Sequence, residues 1–277
     1  MLPPKAFVIT KYYLYNHKWL NLNVPQTYNE KLNWLKLYYH NPLYTTLVDK
    51  VLVKEYVVKK IGREHIIPTL GHWDSFDEID FDKLPNQFVL KTNHDSGGIV
   101  ICKDKATFDK EAAKKKLMKS LKHDYYRFSK EWPYKNVKRQ ILAEQYMEDE
   151  SGFELKDYKW FCFDGEAKIL FIASDRQVKE VETKFDFFDV DFNHLPIING
   201  HPNAVLPIPK PNGFEKMKEL AQILSNGLPH VRIDFYDVNG QIYFGEMTFY
   251  HNSGFAVFEP DRWDKTLGSW IKLPTKM

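Results

Sequence analysis

The stretch VRIDFYDVNGQIYFGEMTFY, residues 231–250, decides how this chain is read. Residues 231–238 and 241–249 are rich in β-branched and aromatic side chains, and Asn239-Gly240 between them signals a tight hairpin. Two acids, Asp234 and Glu246, lie on its two arms, and register decides what they can do. A strict two-residue turn sets Asp234 opposite Gly245 and sends the carboxylates to opposite faces. A three-residue loop, Val238-Asn239-Gly240 with Gly240 left-handed as a bulge, pairs Asp237 with Gln241 instead. Asp234 then faces Phe244, Glu246 faces Arg232, and both carboxylates share one face as diagonal neighbours about 7–8 Å apart. That gap suits one or two Mg2+ ions, which take oxygens at about 2.0–2.1 Å and bring substrate phosphates with them. The alternative is a charged solvent face on an edge hairpin.

The chain has 277 residues, enough for one large domain or two modest ones. A formal net charge of +2 gives no field that points to nucleic acid. Cys102 and Cys162 lack metal-ligand spacing and sit in apolar runs, which reads as small buried core residues and fits a reducing compartment. No apolar run is long enough to span a membrane, and Met1-Leu2-Pro3-Pro4-Lys5 lacks a signal-peptide core, so a cytoplasmic location is expected. No internal repeat argues for a solenoid.

Thr27-Tyr28-Asn29-Glu30 has the form of a capping box, with Leu32, Leu35 and Tyr39 following at helical spacing and Asn41-Pro42 ending the helix. A second helix is expected over 47–61, stopped by Gly62. Residues 1–65 thus read as a helical N-terminal segment, 66–148 as a small lid lobe and 149–277 as a larger lobe carrying the hairpin. In the small lobe, strand 87–91 enters the polar, glycine-bearing turn 92–98, and strand 99–102 returns. Thr107 is placed to cap a helix to about Leu121, and 140–147 forms another strand. Strands over 160–163 and 168–173 precede the hairpin; residues 199–213, with four prolines and two glycines, are loop. Helices are expected over 214–224 and 260–271. The lysines around Lys114-Lys115-Lys116 read as a solvated helix face, because no aromatic platform is interleaved with them.

A strand ending in Lys91, a glycine-bearing turn, a strand carrying Glu144 and the acidic hairpin occur in that order. The words YNEKLNWLKLYYHNPLYTTLVDK (28–50), FVLKTNHDSGG (88–98), AEQYM (143–147), DYKWFCFDG (157–165) and VRIDFYDVNGQIYFGEMTFYHNSGF (231–255) carry the pattern. Together they resemble the ATP-grasp superfamily, and within it the TupA-like branch found in bacterial surface-polysaccharide loci. The resemblance implies an α+β fold with ATP between two α+β lobes, the smaller acting as a lid, and a helical N-terminal extension. It implies ATP and Mg2+ as cofactors and carbon–nitrogen bond formation through an acyl-phosphate. Charge on the transferring phosphoryl group must be neutralised, which is the physical reason for lysines and carboxylate-held Mg2+ around it.

By this resemblance, Lys91 matches the lysine aimed at the α- and β-phosphates, and Lys50 the lysine on the helix before the lid. Asn93, Ser96, Gly97 and Gly98 belong to the flexible phosphate cover, whose backbone N–H groups are donors. Asp95 inside that turn either positions it or contacts a metal. Glu144, Tyr146 and Met147 match the strand that meets adenine and ribose. Lys159 matches a cation near the terminal phosphate, and Arg176 and Arg232 are further clamps for phosphate or carboxylate. Asp234 and Glu246 are the metal ligands. Thr248 stands where many superfamily members have Asn, so Asn252 or a water is the substitute, and the number of metals is open. The usual α/β domain before the lid is absent, which leaves its supporting role to the helical N-terminus.

Asp189-Val190-Asp191 supports a rival reading, a glycosyltransferase that holds a divalent ion at a nucleotide-sugar diphosphate. A sugar kinase using the same ATP cleft and a non-catalytic nucleotide-binding module are the others. The favoured expectation is a ligase that joins an amine co-substrate to the carboxylate of a sugar, as a small molecule or within a glycan. Trp263, Leu267, Trp270 and Ile271 read as core packing before peripheral membrane contact.

Overall fold

The computed structural model describes residues 2–149, 152, 155–175 and 182–276. Its helices are α1 (Pro4–Asn16), α2 (Tyr28–Tyr38), α3 (Leu43–Val48), α4 (Val53–Ile61), α5 (Lys110–Lys122), α6 (Tyr125–Ser129), α7 (Phe214–Ser225) and α8 (Arg262–Trp270). Its strands are β1 (Thr69–Trp73), β2 (Phe88–Thr92), β3 (Ile99–Cys102), β4 (Ile141–Gln145), β5 (Asp157–Phe163), β6 (Glu166–Ser174), β7 (Lys184–Phe188), β8 (His194–Leu195), β9 (His230–Val238) and β10 (Gln241–Thr248). The chain divides into two compact units, residues 42–147 and residues 1–41 with 148–277. The N-terminal helices are therefore shared, α1 and α2 with one unit, α3 and α4 with the other.

In residues 42–147, a four-stranded antiparallel sheet runs in the order β1-β4-β2-β3. Phe88 and Leu90 of β2 and Ile141 and Ala143 of β4 point into a core closed by Leu117 of α5 and by Phe76 and Phe81. Strand alternation puts Lys91 and Glu144 on the opposite face. The helix expected over 47–61 is two helices. The Asp49 carboxylate accepts from Val51 N at 2.8 Å and Leu52 N at 3.3 Å, so a side chain competes with the helical ladder and breaks it. Asp109, not Thr107, caps α5, accepting from Ala112 N at 2.9 Å.

In the other unit, a six-stranded antiparallel sheet runs β10-β9-β5-β6-β7-β8. Every residue of β5 is buried, as befits a central strand covered on both faces. On one face Trp160 meets Phe214 of α7, ring centroids 5.1 Å apart. On the other, Tyr28 of α2 packs edge-on to Phe258 and His230. The capping box of α2 forms: Thr27 accepts from Glu30 N, and Glu30 accepts from Thr27 N at 3.0 Å. Leu267 and Ile271 are buried and Trp270 meets Phe163 edge-on, so the C-terminal apolar residues pack in the core. Among the described residues no helix is long and apolar enough to cross a membrane.

The β9–β10 hairpin departs from the expected register. Val238 pairs with Gln241 across a two-residue turn in which Asn239 (φ 54°) and Gly240 (φ 88°) are both left-handed. The three-residue loop bulged at Gly240 is absent. The bulge lies at Gly245 instead, between the Phe244–Phe235 and Glu246–Asp234 pairs. It shifts the register by one residue and brings Glu246 directly opposite Asp234. The carboxylates share a face, as expected, but by a different route and as a direct rather than a diagonal pair.

Candidate functional site

Residues 42–147 gather one cluster on the β2–β4 face. Glu144 is buried between Lys91, at 2.8 Å, and Lys54 of α4, at 2.5 Å. Burial alone would raise its carboxyl, but Lys91 and Lys54 outweigh that and hold it down at about 2. Lys54 also donates to Thr69 Oγ1 at 2.6 Å and Ile67 O at 3.2 Å. The only sequence signal for Lys54 is its four-residue spacing from Lys50.

Lys50 reaches the glycine turn, its ammonium donating to Asp95 O at 2.8 Å. Asn93 clasps the turn to the segment before β4, donating to Lys138 O and accepting from Gln140 N, both at 2.8 Å. Asp95 accepts from Thr92 Oγ1, from Ser120 Oγ at 2.5 Å and from Gly98 N at 3.2 Å. It therefore positions the turn. A Cβ on Gly98 would collide with the Thr92 and Ser120 hydroxyls, so this glycine is needed for close approach. Ser96 and Gly97 are exposed at the tip. Tyr146, its ring 5.5 Å from the Lys103 ammonium, and Met147 are half-buried just beyond β4.

The six-stranded sheet carries the second cluster. Lys159 pairs with Asp234 and Asp234 with Glu246, so three charged residues form one row across β5, β9 and β10. The Lys159 ammonium lies 2.6 Å from Asp234 Oδ2 and 3.1 Å from Asp157 Oδ1. Arg232, two residues from Asp234 on the same face, donates to both of its oxygens at 2.7 Å and to Glu246 Oε1 at 3.1 Å. Thr248 donates to the same Glu246 oxygen at 3.3 Å. Behind them, His251 Nδ1 takes a hydrogen bond from Arg232 Nη1 at 3.0 Å, and its Nε2 meets Asn199 Oδ1 at 2.8 Å.

The charges are mutually set. Burial would raise Asp234, but Arg232 and Lys159 hold it at about 2. Burial lowers Lys159 against the opposing pull of Asp234, and burial followed by Arg232 pushes His251 well below its usual range, leaving it neutral. Of the predicted residues, Lys159, Arg232, Asp234, Glu246 and Thr248 come together here. Asn252 sits exposed in a left-handed turn (φ 45°), and Arg176 lies outside the described residues. Asp157, Asn199 and His251 join the cluster without a sequence signal, because an Asp that opens a central strand, a loop Asn and a buried His carry no spacing pattern.

Among the described residues no group of three or more His, Cys, Asp or Glu side chains is arranged to hold a metal ion. Both Asp234 oxygens are engaged by cations, and the Glu246 side chain, 36% exposed, is the more accessible. This donor set does not form a protein cage. It fits Mg2+ that arrives with phosphate oxygens and water and takes one or two carboxylates from the protein. The Asp189 carboxylate accepts from Asp191 N at 2.9 Å and Asn193 N at 2.8 Å, so it closes the turn after β7. That local role accounts for half of the D-x-D word.

Two antiparallel sheets with flanking helices, the larger bearing a row of paired acids and cations, make a mixed α+β architecture of the ATP-grasp class. The chain belongs to the TupA-like ATP-grasp family, whose pattern (TupA-like ATPgrasp) matches residues 30–272. Among solved structures, D-alanine–D-alanine ligase from Bacillus anthracis is similar at 16% identity, over 81% of this chain and 60% of that one, with a TM-score of 0.39. The ATP-grasp ligase PsnB complexed with minimal precursor shares 9% identity over 88% of this chain and 63% of its own, with a TM-score of 0.46. N5-carboxyaminoimidazole ribonucleotide synthetase, purK, in its ADP complex, shares 14% over 75% and 46%, with a TM-score of 0.42. The chain thus spans less than two thirds of the length of each of these enzymes. No curated protein matches it.

Proposed function

We propose that the chain is an ATP-dependent carboxylate–amine ligase that uses Mg2+ and works through an acyl-phosphate. The observation that carries this reading is the Gly245 bulge, which sets Glu246 opposite Asp234 in line with Lys159, in a member of this family. An acceptor carboxylate oxygen attacks the γ-phosphorus, the bond to the bridging oxygen breaks, and ADP leaves. An amine nitrogen then attacks the acyl carbon, phosphate departs with the C–O bonding pair, and the nitrogen gives up a proton to water.

Lys159 and Arg232 place positive charge where the phosphoryl group transfers, and the planar Arg fork matches phosphate or carboxylate. Asp234 and Glu246 would hold Mg2+, which when bound neutralises phosphate charge as a Lewis acid. Glu144 aims Lys54 and Lys91 at the nucleotide phosphates and accepts from ribose or adenine donors. The backbone N–H groups of Ser96, Gly97 and Gly98 cover the phosphates. We assign the acceptor to sugar carboxylates of a bacterial surface polysaccharide or its precursor, in the cytoplasm, on the strength of the TupA-like membership alone.

The test is ADP release by the purified chain with sugar acids and pooled amines. Release that requires both a carboxylate and an amine supports the ligase. A phosphorylated product formed without amine would replace it with a kinase. UDP release from a nucleotide-sugar, lost in Asp189→Ala but not in Lys91→Ala, would replace it with a transferase.

A further inference from the structure

We infer that His251 is a positioning residue that fixes the Arg232 guanidinium in its grip on Asp234 and Glu246, and that helix α2 holds the turn on which His251 sits. The inference rests on the ligase reading above and deepens it.

Arg232 can only donate, so His251 Nδ1 is the acceptor and Nε2–H is the donor to Asn199 Oδ1. The Asn199 amide is itself oriented, because its Nδ2 donates to Val257 O at 2.8 Å. The imidazole is thus a neutral link of fixed tautomer, 2% exposed, that adds no charge to the row. It leaves Arg232 Nε and Nη2 for the two acids while taking up Nη1. The rings of Phe161 and Phe258 flank the imidazole at 5.0 Å and 6.3 Å, so a phenyl group of similar size keeps the apolar contacts and loses only the hydrogen bonds.

The residues after His251 adopt an uncommon backbone: Asn252 (φ 45°), Ser253 (φ 55°) and Gly254 (φ 71°) are successively left-handed. Three polar side chains on one buried face of α2 hold this turn. Asn29 donates to Ala256 O at 2.7 Å, Asn33 to Gly254 O at 2.7 Å and Lys36 to Ser253 O at 2.5 Å. Such buried donors on a helix are costly unless matched. Their match to the Ser253 and Gly254 carbonyls of this turn and to Ala256 O just beyond it gives α2 a part in the site beyond filling the core.

The experiment compares the full chain with His251→Phe, His251→Asn and Asn199→Ala. Nitrogen-15 spectra report the Arg232 Nε–H signal, assigned by its loss in Arg232→Lys, and calorimetry reports MgATP affinity. We expect His251→Phe to stay folded, to move and broaden the Arg232 signal, and to weaken MgATP binding at least tenfold. His251→Asn keeps an acceptor near the Nδ1 position and should recover much of both. If His251→Phe does not fold, Asn199→Ala reads the same link, with the same signal shift and at least threefold weaker binding. An unmoved Arg232 signal in the folded variants, or a moved signal with unchanged affinity, overturns the inference. The arginine signal is read without nucleotide. A wild-type chain that binds no MgATP would therefore contradict the ligase reading while the His251–Arg232 link is still judged by its own spectrum.

Discussion

Gly245 and Gly240 make different demands on the same hairpin. A Cβ on Gly245 would lie 3.1 Å from Asp234 O and 3.2 Å from the Tyr236 ring, so the bulge would have to open beside the acids. At Gly240 a Cβ meets nothing within 4 Å, and only the left-handed backbone (φ 88°) resists substitution. Both Gly→Ala changes should cost about 1–2 kcal/mol by denaturant titration. Only Gly245→Ala should also weaken MgATP binding; equal binding losses in the two variants would show that the bulge does not set the acids for MgATP.

Glu144 titrates in a way that stability can read. Its folded pKa of about 2 lies below the ordinary 4.5. The stabilisation is therefore complete above the unfolded value and is lost as pH falls from about 4.5 through 2. A buried carboxylate so placed contributes roughly 3 kcal/mol. Unfolding free energy of the wild type should fall across that window, and Glu144→Gln, lower at neutral pH, should fall less steeply. Parallel pH profiles for the two would show that Lys54 and Lys91 do not stabilise the ionised form.

At the scale of elements, the hairpin's existence was legible and its register was not. Asn239-Gly240 marks the turn, whereas the bulge lies at Gly245 and not at Gly240. The signal was present: Ile242 and Phe244 are buried in alternation, and the next buried residue is Met247, a step of three across Gly245. The break between α3 and α4 is not legible in helical spacing, because it depends on the Asp49 carboxylate competing for backbone N–H groups. Strand β7 was hidden in an acidic, aromatic run whose Asp186, Phe187 and Phe188 are all buried. The capping box of α2 was legible because both of its side-chain bonds are local. The buried polar face of that helix was not, because Asn29, Asn33 and Lys36 find their partners more than two hundred residues away. Asn33→Ala should leave Gly254 O without that donor and lower stability by about 1–3 kcal/mol, measured by denaturant unfolding; an unchanged midpoint would argue against the clasp.

At the scale of the whole molecule, family and fold class were legible because the ordered words span most of the chain, whereas the site was legible only in part. Strand-borne Lys159, Asp234 and Glu246 follow from sheet register, but Lys54 and His251 reach their partners through packing that no short window contains. MgATP should raise the melting temperature, since a ligand at about 100 times its Kd adds about 2.7 kcal/mol. That gain should shrink in Lys91→Ala and in Glu246→Ala, each measured against the wild type by thermal unfolding; an undiminished gain in either variant would remove that residue from the nucleotide site.

The most direct measurement is MgATP binding and ADP production by Glu246→Ala beside the wild type, with circular dichroism to confirm the fold. Glu246→Ala should fold and turn over at a rate reduced by roughly a hundredfold or more, as expected when several kcal/mol of charge stabilisation is removed. A folded Glu246→Ala chain that binds MgATP and releases ADP at the wild-type rate would contradict the role of Glu246 in holding Mg2+.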